Sequence, residues 1–362
     1  SPDLAPDALP LAATAFLRVR APNPLGQGAW AVRGRRQPGK RCPGRQAVSG
    51  RPDPLSPAER RQVAGQLADR YAPLLDSGDA FREALLRPLP QILAVNELRI
   101  DAAALAHRLA DAGLPAAPVD WCPAALKLPA GTRPGQHWGF MAGLFQIQEE
   151  AALLPVCLLD PQPGERVLDL CAAPGNKTAQ IAVRMANRGT VIANDPRRAR
   201  LAPLRQTIRR LGLVNVQLLV RDGQTLRLPD GVVFDRILVD APCTCEGTFR
   251  KVAVPGLASA EERRRAAAVQ LRLLRTAVQL LRPGGRLVYS TCTFAPEENE
   301  CVVSALLDLE RDKVRVRPVS LPGLRLTPGV TGWQGQRLEP ALVGNVRLWP
   351  HHQDTGGFYA AV

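Results

Sequence analysis

The stretch RVLDLCAAPGNKT, residues 166–178, contains three pieces with three different physical demands. Val167, Leu168 and Leu170 form a short apolar run suited to a buried strand, the next five positions are small residues, and a helical pattern opens at Lys177. Strand, small-residue turn and helix in that order open a parallel α/β sheet, whose ligands lie beyond the carboxyl ends of the strands. Ala172, Ala173 and Gly175 let a ligand approach the backbone, and the helix start offers free N–H groups to a carboxylate or phosphate. Asn176 separates Gly175 from Lys177, so this is not a Walker loop, nor does it have Gly-x-Gly-x-x-Gly spacing.

Outward from this stretch, strands alternate with helices from about residue 137 onward. The expected strands are 166–170, 190–193, 216–220, 234–239 and 286–290; the expected helices include 177–185, 197–211 and a long basic one over 260–281. Upstream, strand 91–96, helix 102–112 and a strand over 119–128 predict a small α+β module. It is preceded by helices over 56–71, with a capping signal at Ser56 to Glu59, and over 80–86. Residues 1–54, with RGRRQPGKR at 33–41 among prolines and glycines, read as a flexible basic extension. The domain plan is therefore 1–54, 55–136 and 137–362.

The chain has 362 residues, and 47 Lys plus Arg against 33 Asp plus Glu give a formal charge of +14, suited to a polyanionic partner through attraction to phosphates. No apolar stretch of about 18 residues free of charges is present, and no secretory leader is evident. A cytoplasmic protein is expected. Eight cysteines are too sparse for a disulfide scaffold and are expected to be thiols.

Three acidic residues sit at successive strand ends. Asp195 is placed to accept hydrogen bonds from ribose hydroxyls, Asp222 to meet an adenine amino group, and Asp240 to face the same crevice, which favours an adenosine-bearing ligand. Cys243 and Cys292 each follow an apolar strand by a few residues and are expected to project into that crevice. Cys292 is followed by a helix start at 296–298 whose dipole favours a thiolate. Zinc is not expected, because Cys243-Thr-Cys245 lacks the usual spacer and the chain has only four histidines. No Gly-x-Ser-x-Gly elbow is present. What remains is a thiolate nucleophile beside an adenosine ligand, for which S-adenosylmethionine is the chemically sensible choice.

The segments DLCAAPGNKT (169–178), DAPCTCEGTFRK (240–251) and STCTFAPEENE (290–300) resemble the motifs of the Nop/Sun family of RNA cytosine-C5 methyltransferases. GLFQIQEE at 143–150, RLWPHH at 347–352 and GGFY at 356–359 extend the similarity over about 90–362. The resemblance implies a Rossmann-like class I methyltransferase sheet with helices on both faces, preceded by an RRM-like amino-terminal RNA-binding module. It implies S-adenosylmethionine held by Cys171, Ala172, Ala173, Pro174, Gly175, Asn176 and Lys177, with Asp195, Arg200, Asp222 and Asp240 as further contacts. It also implies Cys292 as the thiolate that adds to cytosine C6, Cys243 as the thiol that assists its release, Asp240 as the group holding the base near N3, and Lys177 as electrostatic support. Where the family often has Pro-Cys-Ser-Gly, this chain has Pro-Cys-Thr-Cys-Glu-Gly, and Cys245 beside Cys243 is exposed to oxidation chemistry.

Arg250, Lys251 and the run Arg263, Arg264, Arg265 are expected to meet RNA phosphates near the crevice. Ribosomal RNA is the preferred substrate, with transfer RNA as the alternative. A DNA cytosine methyltransferase using Cys243 lacks its expected Phe-x-Gly-x-Gly and Glu-Asn-Val motifs here. A catalytically silent RNA-binding assembly factor is the competitor from another class. A monomer without membrane or metal partners is expected.

Overall fold

The structure is a computed structural model that describes residues 55–251 and 256–362; the basic extension expected over 1–54 lies outside the described residues. The described residues belong to one compact unit. Helix α1 (Pro57–Tyr71) begins where expected: Glu59 N donates to the Ser56 hydroxyl at 3.3 Å, and Ser56 N donates to the Glu59 carboxylate at 2.7 Å. With α2 (Gly78–Leu86) it buries Leu67, Tyr71, Phe81 and Leu85 against Phe249, Phe294, Trp333 and Trp349, which come from distant parts of the chain.

A four-stranded antiparallel sheet follows, made of β1 (Gln91–Val95), β2 (Ala117–Val119), β3 (Cys122–Leu128) and β4 (Phe145–Gln148) in the order β2-β3-β1-β4. Helix α3 (Ala102–Asp111) packs Leu105 and Leu109 on one face with Leu93, Val95, Leu126 and Phe145. Two expectations are corrected here. The strand over 119–128 is two strands, broken by a turn at Asp120 and Trp121. The first sheet also runs past the boundary drawn at 137, because β4 pairs with the free edge of β1 and Phe145 belongs to the core under α3.

Beyond short α4 (Trp138–Met141) and α5 (Leu154–Leu159), the main sheet is built from β5 (Arg166–Asp169), β6 (Thr190–Asn194), β7 (Val216–Leu219), β8 (Phe234–Asp240) and β9 (Leu281–Thr291), all parallel. The helices between and after them are α6 (Asn176–Arg184), α7 (Leu201–Leu211), α8 (Ala260–Leu280) and α9 (Glu300–Leu309). The last part of the chain adds β10 (Thr327–Pro328), the small ladder β11 (Gly332–Trp333) with β12 (Gln336–Arg337), β13 (Val346–Leu348), α10 (Pro350–Gln353) and β14 (Phe358–Ala361). The sheet order is β10-β13-β14-β9-β8-β5-β6-β7, with β14, β13 and β10 antiparallel. Period-two alternation sends Val167, Leu238, Phe358 and Ala360 into one core and Leu168, Ile237, Val239 and Tyr359 into the other, so both faces are covered.

The antiparallel edge is tied to α9 by a buried ion pair. Arg347 Nε donates to Glu300 Oε1 at 2.7 Å, the second guanidinium nitrogen meets the other carboxylate oxygen, and Arg347 Nη1 donates to the Phe294 carbonyl at 2.8 Å. The side chains are 3 % and 0 % exposed. Removing one partner leaves a buried charge unpaired, so Glu300→Ala is expected to lower unfolding stability by about 3–5 kcal/mol. The reading is a lower urea midpoint at unchanged slope.

Candidate active site

Strands β8 and β9 run side by side with Asp240 opposite Ser290, and both chains leave the sheet just beyond that pair. Parallel pairing therefore carries two segments far apart in sequence into one place: the sulfurs of Cys243 and Cys292 lie 3.4 Å apart, and Cys245 lies 3.9 Å from Cys243. Asp240 Oδ2 accepts from Lys177 Nζ at 2.8 Å and Oδ1 from the Ser290 hydroxyl at 2.8 Å. Lys177 comes from the first turn of α6, so the small-residue turn and the cysteine turns share one crevice. Burial opposes the Lys177 charge, but Asp240 outweighs it and holds the ammonium above the ordinary lysine range, with Cys292 and Asp169 adding to the effect.

The cysteine turns are braced from behind. Thr244 N donates to Glu298 Oε2 at 3.0 Å, the Thr244 hydroxyl bonds both Glu298 and Thr293, and Gln270 Nε2 donates to Glu298 at 2.9 Å. Burial pushes the Glu298 carboxyl up to about 7 against these hydrogen bonds. Gly247 N donates to the Cys292 carbonyl at 2.9 Å, and Gly357 N to the Gly247 carbonyl at 2.8 Å. A Cβ on Gly247 would stand 2.3 Å from the Gly357 oxygen, so only glycine permits this approach. Glu246, buried, takes the Tyr71 hydroxyl of α1 and the Ala258 N–H.

On the other side of β5, Ala172 and Ala173 line the turn, and Gly175 at φ +112° starts α6 with no side-chain cap on its N–H groups. Asp195, 1 % exposed, directly follows β6 and accepts from Arg200 Nη1 and from Arg197 N, each at 2.9 Å; Arg200 Nη2 donates to the Ala173 carbonyl at 3.2 Å. Asn176 accepts from Gln146 of β4 at 3.0 Å, and Pro174 is exposed. Asp169 is buried under the turn, where its carboxyl accepts from Thr178 at 2.6 Å and burial pushes it up to about 7. Burial likewise pushes the Cys171 thiol up. Asp222 lies exposed past β7, with Oδ1 accepting from Gln224 N at 2.9 Å.

Three expectations change. Arg250 is not a free phosphate ligand: its side chain is fully buried, donating to the Arg87, Pro88 and Thr355 carbonyls and pairing with Asp354 at 2.6 Å. Arg263 is buried beside Glu246 and Glu297, whereas Lys251, Arg264 and Arg265 are exposed. The helix after Cys292 begins at Glu300, and 296–298 is a single 3₁₀ turn that delivers Glu298 to Thr244. Glu298 is the residue that sequence reasoning missed. A helix-start pattern is read as solvated carboxylates, and nothing local marks one as buried.

The family model described as 16S rRNA methyltransferase RsmB/F matches residues 156–362. A protein of Klebsiella pneumoniae (strain 342) named ribosomal RNA small subunit methyltransferase F is 41% identical over 298 residues, 79% of this chain and 59% of its own length. Its namesake in Escherichia coli O139:H28 (strain E24377A / ETEC) is 37% identical over 297 residues, 79% of this chain and 59% of its own length. This chain thus spans about three-fifths of the length of those curated relatives. Among solved structures, a methyltransferase homolog protein from Pyrococcus horikoshii is similar with a TM-score of 0.73 and 34% identity, covering 85% of this chain and 98% of that one. NSun6 from the same organism shares the fold, with a TM-score of 0.67 and 22% identity over 84% of this chain and 97% of that one.

Between the ordinary 4.5 of a glutamate and about 7, folded Glu298 keeps a proton that the unfolded chain has released. Stability should therefore fall as pH rises through that window, and Asp169 acts in the same direction from 3.8 to about 7. Glu298→Gln removes one of these two protons and should flatten the slope by on the order of 1–3 kcal/mol across the window. Urea titrations of the variant and the parent over that pH range read it.

Proposed function

The chain belongs to the RsmB/F family of 16S rRNA methyltransferases, and from that membership we propose that it is an S-adenosylmethionine-dependent RNA cytosine-C5 methyltransferase acting on small-subunit ribosomal RNA. The observation that carries this reading is the pair of thiols, Cys292 and Cys243, 3.4 Å apart beside an Asp240 held on both oxygens by Lys177 and Ser290.

The residues suit the cofactor. Between β5 and α6 the turn offers only small side chains, and uncapped helix N–H groups suit an α-carboxylate; Asp195 at the end of β6 suits vicinal hydroxyls. Cys171, Ala172, Ala173, Pro174, Gly175 and Asn176 would hold it, with Asp195, Arg200 and Asp222 as further contacts. When bound, S-adenosylmethionine supplies an electrophilic methyl group.

C5 of cytosine is a weak nucleophile, and the protein's task is to change that. Cys292 Sγ forms a bond to C6, which moves electron density toward C5 and N3. Asp240, oriented by Lys177 and Ser290, holds the base near N3 and stabilises the protonated adduct. After C5 has gained the methyl group, its proton passes to solvent, the C5–H electron pair re-forms the C5–C6 double bond, and the C6–S bond breaks, returning the Cys292 thiolate. Cys243 assists that release. The net charge of +14 draws the RNA toward the crevice, and the exposed Lys251, Arg264 and Arg265 suit its phosphates.

Labelled S-adenosylmethionine incubated with RNA from cells lacking the protein tests this. Label is expected in 5-methylcytidine of small-subunit ribosomal RNA, located by nuclease mapping. Cys292→Ala should lower the rate by at least about a thousandfold, and Cys243→Ala should leave a covalent protein–RNA adduct that survives denaturation. Label retained by Cys292→Ala and lost by Cys243→Ala would exchange the two roles. Label in transfer RNA alone would change the substrate, and label in no RNA would favour a silent assembly factor.

A further inference from the structure

The third thiol of the crevice has no part in the chemistry above. Cys245 sits in the left-handed region at φ +61°, a conformation uncommon for a side chain of this kind, with its carbonyl bonded by the Thr248 N–H at 3.0 Å and hydroxyl at 2.8 Å. That backbone geometry turns its sulfur toward the other two. The sulfurs of Cys292 and Cys245 lie 3.4 and 3.9 Å from that of Cys243, and all three lie within 4.8 Å of one another.

Zinc holds thiolates at about 2.3 Å in a tetrahedron, which places neighbouring sulfurs about 3.8 Å apart. Two of the three separations already lie near that value, and the third is within 4.8 Å. Along the sequence, the one-residue spacer between Cys243 and Cys245 argued against zinc. The third donor, however, directly follows β9, 49 residues after Cys243, and parallel pairing supplies what the spacing lacks. The framework is also held in place: Glu298 fixes Thr244, the residue between the first two thiols, and Gly247 N fixes the carbonyl of the third.

We propose that Cys243, Cys245 and Cys292 form a site for zinc(II) with three protein thiolates and a fourth position open to water, and that an ion there switches methyl transfer off. Binding forms three Zn–S bonds and releases the proton of each thiol that still carries one; no electron is transferred. The ion occupies the lone pairs of both cysteines of the proposed mechanism, so the inhibitory half of the inference rests on that mechanism, while binding itself does not. Soft thiolate donors select zinc over magnesium or calcium.

The other candidate among the described residues, Asp76 with His351 and His352, is already served. The Asp76 carboxylate bonds both imidazoles, at 2.7 and 2.9 Å, and takes Arg325 at 2.9 Å, so a cation is in place.

The test is a titration of the reduced, metal-free full chain with cobalt(II), followed by zinc displacement, reading the near-ultraviolet thiolate-to-cobalt charge-transfer band without RNA or S-adenosylmethionine. One equivalent with a strong band is expected. Cys245→Gly, which suits the left-handed backbone, should keep methyl transfer, bind at least about tenfold more weakly and make methyl transfer resistant to zinc; Cys245→Ser should behave likewise. Absence of the band in the parent chain overturns the site. So does unchanged affinity in both Cys245 variants, or affinity lost instead in Asp76→Ala. Because the band needs no substrate, failure of the proposed methyl transfer and failure of this site are read separately.

Discussion

The parallel register between β8 and β9 is the constraint from which the site follows. With Asp240 opposite Ser290, the residue three beyond Asp240 and the residue two beyond Ser290 meet, so Cys243 and Cys292 come within 3.4 Å although they are 49 positions apart. A slip of one residue would turn alternate side chains to the other face of the sheet and part Ser290 from Asp240. The register is held by burial on both faces, since Ile237 and Val239 face one core while Leu238 faces the other.

Around that register the rest of the chain acts as bracing. Helices α1 and α2 bury Tyr71 and Phe81 against Phe249 and Phe294, which follow the two cysteine turns, and Tyr71 bonds Glu246 within the first of them. The antiparallel strands β13 and β14 carry Arg347 and Gly357 to the same place, one pairing with Glu300 and the other meeting Gly247. Phe294 and Trp349 stack with centroids 5.3 Å apart, joining the second cysteine turn to the end of β13. Three regions far apart in sequence thus brace two short turns, the support that a precisely positioned site needs.

Charge is distributed by depth. Lys177 and Asp240 pair inside the crevice, Glu298 and Asp169 are buried carboxyls pushed up by loss of water, and the exposed Lys251, Arg264 and Arg265 stand outside. The excess positive charge of the sequence is therefore not spread as one uniform exposed surface. Part of it is structural, and Arg250 and Arg347 show how: each guanidinium satisfies backbone carbonyls deep in the protein, where its five donors are useful and its charge is matched by a single carboxylate.

From the residues alone came the alternation of strands and helices, the small-residue turn after β5, the acidic strand ends and the two cysteine positions. Each depends on local period, residue size or chain order, quantities that are present in a linear string. Strands β13 and β14, the pairing of β4 with β1, the burial of Arg250 and Arg263, and the placing of Glu298 against Thr244 depend on which segments meet across long separations. Nothing in the local pattern distinguishes a buried carboxylate or guanidinium from a solvated one, because that difference lies wholly in its distant partners. The same holds for Cys245: its neighbours along the chain mark it as a bystander, and only the strand 49 residues beyond Cys243 brings a third sulfur to it.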